Sequence, residues 1–541
     1  MIAEHALCDP CQLLRVQYSA PPRLCGEKTK TVSKKLKTAY KRSFSAHLSG
    51  FCRVKASLRT AYLCTGTPSE YSAKLRGMYV EQLYTNCLAE AAYWIESDGE
   101  AVVIDPIRET TPYIAKAEER GVTIKYIFET HFHADFVSGH IDLSKATGAE
   151  IIYGPKADTK YHVHNAKDGE EFKVGKLTIR VIHTPGHTPE STCYLLLDEN
   201  GKEYAIFTGD TLFVGDVGRP DLLDGTMTKE ELAGMMFDSL NNKLKKIPDH
   251  VLMYPAHGPG SACGKNIGKE TWSTIGEQKA TNYAMKITDR DEFIKTVTEG
   301  LAAPPQYFFK DAAINKNGYE NIDNVLERNV IPLDALKAKA VLEAGALVLD
   351  TRSADEFEKG FIPGSMFIGL DGTYAVWVGT LIDINVKLLI VASEGREREA
   401  ILRLARVGYE NVVGYLEGGV DAWKKANLPV DTMKSVNPDE FVSAMNKQNH
   451  DAVLDVRRPG EWDNGHTEGA EHVCLSSFSK PHGTDSIDRN KPYYVHCAGG
   501  YRSVIAISIL KQKGYTNLVN VRGGWRVLEG MDFPKVMPEL A

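Results

Sequence analysis

Hydrophobic periodicity sets in abruptly at Met78. Residues 101–105, Ala-Val-Val-Ile-Asp, form a short apolar run ending in a carboxylate and predict a buried strand. Residues 112–120 carry a helical pattern closed by Gly121. Residues 124–128 predict a strand that runs into a histidine-rich loop. Further apolar runs at 151–153, 177–182, 194–197, 204–207 and 251–254 predict more strands, with helices between some of them. Strands interspersed with helices point to an α/β layered domain over residues 78–325.

Two shorter patterns follow, and they repeat each other. The first holds Val348-Leu-Asp-Thr-Arg352, then Glu356, Gly360-Phe-Ile-Pro-Gly364 and Glu417-Gly-Gly-Val-Asp-Ala-Trp423. The second holds Val453-Leu-Asp-Val-Arg457, then Glu461, Gly465-His-Thr-Glu-Gly469 and Arg522-Gly-Gly-Trp525. Markers recurring at similar offsets indicate one fold used twice, over residues 330–430 and 436–541.

Composition changes this picture only at the front. The 541 residues are too many for one hydrophobic core. Residues 1–77 carry 14 Lys or Arg against 4 Asp or Glu, while the whole chain is at −7. This basic, Ser- and Thr-rich stretch has little hydrophobic period. It reads as an extension without a fold rather than a transit peptide, because Met78 opens a domain at once. Cytoplasm is accordingly the expected location, and a mitochondrial one would follow if the stretch were a transit peptide. Cys8 and Cys11 form a Cys-x-x-Cys with no second pair at zinc-ribbon spacing. The ten cysteines do not form a dense disulfide framework, which favours a reducing setting. The acidic balance gives no reason to expect nucleic acid or an anionic membrane as partner, and no apolar run is long enough to span a bilayer.

Four loops, each following a strand, carry the chemistry. They are Thr130-His131-Phe132-His133-Ala134-Asp135-Phe136, Thr184-Pro-Gly-His187-Thr188, Thr208-Gly-Asp210-Thr211 and Tyr254-Pro-Ala-His257-Gly258. Neutral imidazoles and a carboxylate converging from separate strand ends can chelate a divalent transition metal. The four motifs in this order resemble the metallo-β-lactamase superfamily over residues 78–325, which implies an αββα sandwich. Dinuclear zinc hydrolases of that superfamily resemble one another in a His-x-His-x-Asp-His string, whose Asp-His pair holds a second ion. Phe136 stands where the last histidine would be, so the second set is expected to be incomplete. His131, His187 and Asp210 remain, and two histidines with one carboxylate suit a single Fe(II), with Zn(II) as the alternative.

The persulfide dioxygenases use that triad, and the resemblance implies that His133, Asp135 and His257 orient it, with ligation by His133 left open. Gly215-Asp-Val-Gly-Arg219-Pro-Asp221 is similar to the stretch where those enzymes hold the thiol carrier. It makes Arg219 a candidate grip for the carrier's carboxylate or phosphate, with an ion pair to Asp221 or Asp216 as the competing reading. Cys263, in the glycine-rich loop after His257, is a candidate for handling sulfur or else a small buried group.

The second repeat adds Tyr494-Val-His-Cys497-Ala-Gly-Gly-Tyr-Arg502-Ser503 ahead of an apolar helix. Loop N–H groups and the helix dipole stabilise a thiolate at Cys497, which can store sulfane sulfur as a persulfide; Arg502 adds positive charge. This stretch is similar to the active loop of rhodaneses. The first repeat places Ser393 at the nucleophile's position, with Arg398 matching Arg502 and with Glu394, Glu397 and Glu399 in the loop. It is therefore expected to be inactive, serving to pack the catalytic ends together or to join copies of the chain in a homo-oligomer. The whole arrangement resembles persulfide dioxygenase–rhodanese fusion enzymes. That resemblance implies oxidation of a low-molecular-weight persulfide (of glutathione, coenzyme A or a similar thiol) by O2 to sulfite, followed by sulfur transfer to give thiosulfate. A glyoxalase-II-like zinc thioester hydrolase is the competing reading.

Overall fold

The computed structural model describes residues 77–222, 226–301, 303–447 and 452–538. The basic stretch with Cys8 and Cys11 lies outside them. Among the described residues no helix is long and apolar enough to cross a membrane.

The first domain is built on two six-stranded sheets. One runs in spatial order through β1 (Tyr79–Thr85), β2 (Glu90–Ser97), β3 (Glu100–Ile104), β4 (Thr123–Glu129), β5 (Glu150–Tyr153) and β6 (His164–Asn165). The other contains β7 (Glu171–Val174), β8 (Leu177–His183), β9 (Thr192–Leu197), β10 (Glu203–Gly209), β11 (Leu252–Pro255) and β12 (Ser273–Thr274), again in sequence order. The two sheets face each other through one core. Ile95, Val102, Ile104 and Phe128 come from the first sheet, and Ile179, Tyr194, Leu196 and Phe207 from the second.

Strand β9 shows how the layers arise. Its alternate residues Tyr194 and Leu196 enter that core, while Cys193, Leu195 and Leu197 face the helical layer. There they meet Ala233, Met236 and Leu240 of α1 (Lys229–Asn242) and, beyond it, Phe293 and Val297 of α2 (Arg290–Thr298). Both faces of β9 are buried, so its sequence reads as continuously apolar.

The expected helix near residue 112 is Thr111–Arg120, stopped by Gly121 in the left-handed conformation at φ 68°. The structure adds β1, β2, β6, β7 and β12, which apolar runs did not single out. β2 reads Glu-Ala-Ala-Tyr-Trp-Ile-Glu-Ser and is buried along nearly its whole length, so it shows no alternation.

Two five-stranded parallel sheets follow. The first has the order β13 (Pro332–Leu333), β17 (Val412–Leu416), β16 (Leu388–Val391), β14 (Leu347–Asp350), β15 (Met366–Phe367). The second has β18 (Lys434–Val436), β23 (Leu518–Val521), β22 (Tyr493–His496), β19 (Ala452–Asp455), β21 (Glu471–His472). The identical order of equivalent strands is the structural counterpart of the sequence repeat.

Candidate metal centre and sulfur-transfer loop

The metal-binding residues sit on loops at one end of the two facing sheets. β4 delivers Thr130, His131, His133 and Asp135. β8 leads into the turn with His187, β10 ends one residue before Asp210, and β11 precedes His257. Gly209 makes the approach possible: its φ is +51°, and a Cβ there would lie 2.6 Å from the Thr130 side chain. Without that close passage Asp210 could not lie beside His131.

His131, His187 and Asp210 form one buried group whose ligand atoms lie within 4.8 Å of one another. Nε2 of His131 is 3.8 Å, and Nε2 of His187 3.5 Å, from Asp210 Oδ2. The far side of each ring is already committed. His187 Nδ1 pairs with the Arg219 carbonyl at 2.8 Å, so it carries the proton and leaves Nε2 with a free lone pair. The Thr130 hydroxyl donates to Asp105 Oδ2 at 2.8 Å, so its oxygen is free to accept from His131 Nδ1 at 3.0 Å. Burial, with the neighbouring His133, His187 and His257 imidazoles, holds the His131 pKa well below its ordinary value. Neither oxygen of Asp210 has a hydrogen-bond partner, although the residue is 1% exposed. Two neutral imidazoles and an unpartnered buried carboxylate fit a divalent cation between them.

The other sequence candidates sort differently. His133 turns toward Asp105 Oδ1 at 3.1 Å and Glu129 Oε2 at 3.8 Å, and its ring packs on Phe136 at 4.4 Å. Asp135 and His257 join Cys263 in a second buried group within 4.8 Å. Phe136 offers no donor to this group, and Cys263 stands in it from a different loop. Burial, with the nearby Asp135 and Asp210 carboxylates, pushes the Cys263 thiol well above its ordinary pKa, so it is not a free thiolate. Of the two readings of Arg219, the geometry displays the ion pair. Its guanidinium forks onto Asp221 at 2.7 and 2.9 Å, with the side chain 4% exposed, which is the competing ion-pair reading. Its main chain connects both groups, because its N–H donates to the Cys263 carbonyl at 2.9 Å and its carbonyl receives His187.

Sequence reasoning did not single out Asp105 or Glu129 as parts of this centre. Asp105 holds Thr130 through both the backbone N–H and the hydroxyl, each at 2.8 Å. Its φ of +49° aims the carboxylate back at the loop, a conformation that the residue type tolerates but does not announce.

In the second repeat Cys497 follows β22 and precedes the helix α3 (Tyr501–Gln512). The Gly500 N–H donates to its sulfur at 3.1 Å, and the thiol lies 3.7 Å from the Ser503 hydroxyl. Gly500 at φ +92° turns that amide inward. Gly524 is required by contact, since a Cβ there would stand 2.2 Å from the Cys497 carbonyl. Arg502 clasps Glu461 at 2.6 and 2.7 Å. Arg526 is a second cation at this loop, with its Nη1 3.8 Å from where a Cβ on Gly499 would lie. In the first repeat Ser393 instead donates to Glu356 at 3.2 Å. Arg396 is tied to Asp371 and Glu399, and Arg398 is exposed.

Residues 85–257 match the family model described as the metallo-beta-lactamase superfamily, and residues 334–426 and 437–529 each match the rhodanese-like domain. A hydroxyacylglutathione hydrolase of Brucella anthropi is 41% identical over 206 residues, covering 37% of this chain and 74% of that protein. The human mitochondrial persulfide dioxygenase ETHE1 is 30% identical over 213 residues, covering 39% and 76%. A crystal structure of a metallo-beta-lactamase from Staphylococcus aureus is 32% identical, with a TM-score of 0.56 over 63% of this chain and 99% of that one. The chain belongs to the metallo-beta-lactamase superfamily as a metal-binding enzyme with two rhodanese-like domains following in the same polypeptide.

Proposed function

We propose that the chain oxidises the terminal sulfur of a low-molecular-weight persulfide with O2, and that its last domain passes a further sulfane sulfur to the sulfite formed. The balances are R–S–SH + O2 + H2O → R–SH + SO3²⁻ + 2 H⁺ and Cys497–S–SH + SO3²⁻ → Cys497–SH + S2O3²⁻. The observation that carries the reading is the group of His131, His187 and Asp210, two imidazoles and one carboxylate on a single buried centre. This donor set suits one Fe(II) with positions left open, and when bound such an ion supplies a Lewis-acidic, redox-active centre for O2 and a sulfur anion. Asp105 and Thr130 fix the His131 tautomer, and the Arg219 carbonyl fixes that of His187. Both ring nitrogens facing Asp210 therefore arrive as lone pairs without reorganisation. At the other centre the Gly500 N–H stabilises the Cys497 thiolate, which exchanges sulfur without a metal.

The similarity to ETHE1 and the rhodanese modules support this reading. Zinc-dependent thioester hydrolysis is the second reading, favoured by the 41% identity to a hydroxyacylglutathione hydrolase. The test is metal analysis of protein purified without added metal, coupled to O2 uptake with glutathione or coenzyme A persulfide. Iron with persulfide-dependent O2 loss is expected. Zinc with cleavage of a glutathione thioester and no O2 loss would overturn the proposal.

A further inference from the structure

The loop that carries His131 does not hold itself. Residues 131–137 form neither helix nor strand, so their buried main-chain groups need partners from elsewhere. Asn315, on the helix Phe308–Asn317, serves three main-chain groups at the end of this loop. Its Nδ2 donates one hydrogen to the His133 carbonyl at 2.7 Å and the other to the Phe136 carbonyl at 2.8 Å. Its Oδ1 accepts the Ser138 N–H at 2.9 Å. These partners fix which end of the amide is which, since only the nitrogen can donate and only the oxygen can accept. The residue is fully buried, and its amide is spent on the span 133–138, which brackets Asp135 and begins two residues after His131. The helix behind it is seated on the first rhodanese-like repeat. Tyr307, at its N-cap, lies over Gly379, where a Cβ would come within 2.0 Å of the ring. Asp311 lies against Gly408, where a Cβ would stand 2.5 Å from its carboxylate. From the first domain, the Tyr161 hydroxyl donates to the Asn315 carbonyl at 2.6 Å.

We propose that Asn315 is a positioning residue of the metal centre: it sets the path of the loop so that His131 stands beside His187 and Asp210. It touches no ligand side chain and acts through the main chain alone. An apolar residue at 315 would leave two carbonyls and one N–H buried without partners. The loop would then shift to recover those bonds, and His131 would shift with it. The adjacent Val137 N–H goes to the Arg406 carbonyl at 2.7 Å, so the same span is also held directly from the first repeat. The role stands whichever metal the centre holds.

The test is the Co(II) affinity of the metal-depleted full chain, read anaerobically by competition with a chelating dye. The visible d–d absorption of the bound ion is recorded alongside, because it reports coordination geometry. Asn315→Leu is expected to weaken binding about tenfold and to shift that band. Asn315→Asp keeps the acceptor for Ser138 and, as a buried acid, one hydrogen to donate, so a smaller loss is expected. Asn329→Leu controls for loss of a buried amide as such: Asn329 is 1% exposed and donates to the Glu410 carbonyl at 2.9 Å, outside the loop. It is expected to lower the melting temperature and to leave Co(II) affinity and band unchanged. Wild-type affinity and band in a folded Asn315→Leu or Asn315→Asp overturns the assignment, as does equal weakening in Asn329→Leu. One arm needs no variant to fold. By reciprocity, saturating the wild-type chain with Co(II) slows hydrogen exchange at the Ser138 amide, and exchange indifferent to the metal also overturns the assignment. O2 uptake is not read, so failure of the proposed oxygenase activity leaves this result standing.

Discussion

The hydrogen-bond chain from Asp105 through Thr130 to His131 makes a quantitative prediction about metal affinity. Asp105 accepts from both the N–H and the hydroxyl of Thr130, which obliges the Thr130 oxygen to accept from His131 Nδ1. Asp105→Asn replaces one accepting oxygen by a donor. If the amide faces the Thr130 hydroxyl, that hydroxyl must turn and donate to Nδ1, which moves the imidazole proton to Nε2 and removes the lone pair a cation needs. If it faces the Thr130 N–H instead, two donors confront each other in a buried site. Either outcome forfeits one buried hydrogen bond, about 1–3 kcal/mol. Loss of such an outer partner lowers metal affinity roughly 10- to 100-fold. Asparagine tolerates the φ of +49° at this position, so the backbone does not confound the result.

The assay is Fe(II) or Co(II) affinity of the metal-depleted chain by competition with a chelating dye under anaerobic conditions. Thr130→Val serves as the discriminating control. It keeps the Asp105 charge and removes only the relay, with an expected loss of about tenfold. Thr130→Ser retains the hydroxyl and is expected to bind like the wild type. Wild-type affinity in Thr130→Val beside weakened binding in Asp105→Asn would show that only the Asp105 charge matters, and the tautomer argument would be wrong.

Three further outcomes are expected. Cys497→Ser leaves persulfide-dependent O2 uptake largely intact and shifts the product from thiosulfate to sulfite; collapse of O2 uptake would show that the two centres are not independent. Arg108→Met removes a fully buried guanidinium that bonds the Ala405 carbonyl and reaches Glu410 at 2.5 Å. Glu410 keeps Arg328 at 3.1 Å and is 23% exposed, so the loss is that of the buried hydrogen bonds, about 1–3 kcal/mol, and calorimetry should show the first domain and the first repeat unfolding at separate, lower temperatures. Glu461 is held at about 2: burial alone would raise it, but the Arg502 fork outweighs that. A depressed carboxylate contributes stability above its unfolded value, about 4.5, and loses it as pH falls toward about 2. Glu461→Gln should therefore flatten the acid limb of the melting curve, and an unchanged limb would discount the pair.

How far sequence reached depends on which physical signal each residue carries. His131, His187, Asp210 and His257 were legible because each is a metal-ligating type in a loop directly after a strand. Cys497 was legible because glycines and an apolar helix follow it. Asp105 was not, because its contribution is a positive φ and two bonds to the next strand, neither visible in residue type. The meeting of Asp135 with Cys263 was missed for the opposite reason. Phe136 bears only on the adjacent position, whereas donors in a folded chain are recruited through space. Arg219 carried two readings of equal chemical merit, and only the position of Asp221 separates them. Strand β2 failed the alternation criterion because both of its faces are covered.

The repeat with Ser393 at the position of Cys497 is held in place by what it touches. Its Arg406 carbonyl accepts the Val137 N–H at 2.7 Å, immediately after the Asp135-Phe136 pair of the metal loop. The Arg406 guanidinium pairs with Glu109, and Arg108 reaches in from the opposite side. On the other flank the Gly369 carbonyl accepts the Tyr501 hydroxyl at 2.8 Å, at the first turn of the helix behind Cys497. Gly372 must lack a side chain, since a Cβ there would lie 2.4 Å from the Tyr501 ring. Phe367 N–H donates to Ser508, which explains why α3 is buried from Ser503 to Leu510 with almost no polar face. A module fastened to the metal loop at one end and to the sulfur loop at the other is constrained at its surfaces, not at position 393, where Ser393 needs only Glu356. On the proposed function, that strut keeps sulfite formed at one centre at a high effective concentration for the other. The contacts on both flanks of the middle domain therefore depend on its shape and not on the side chain at position 393.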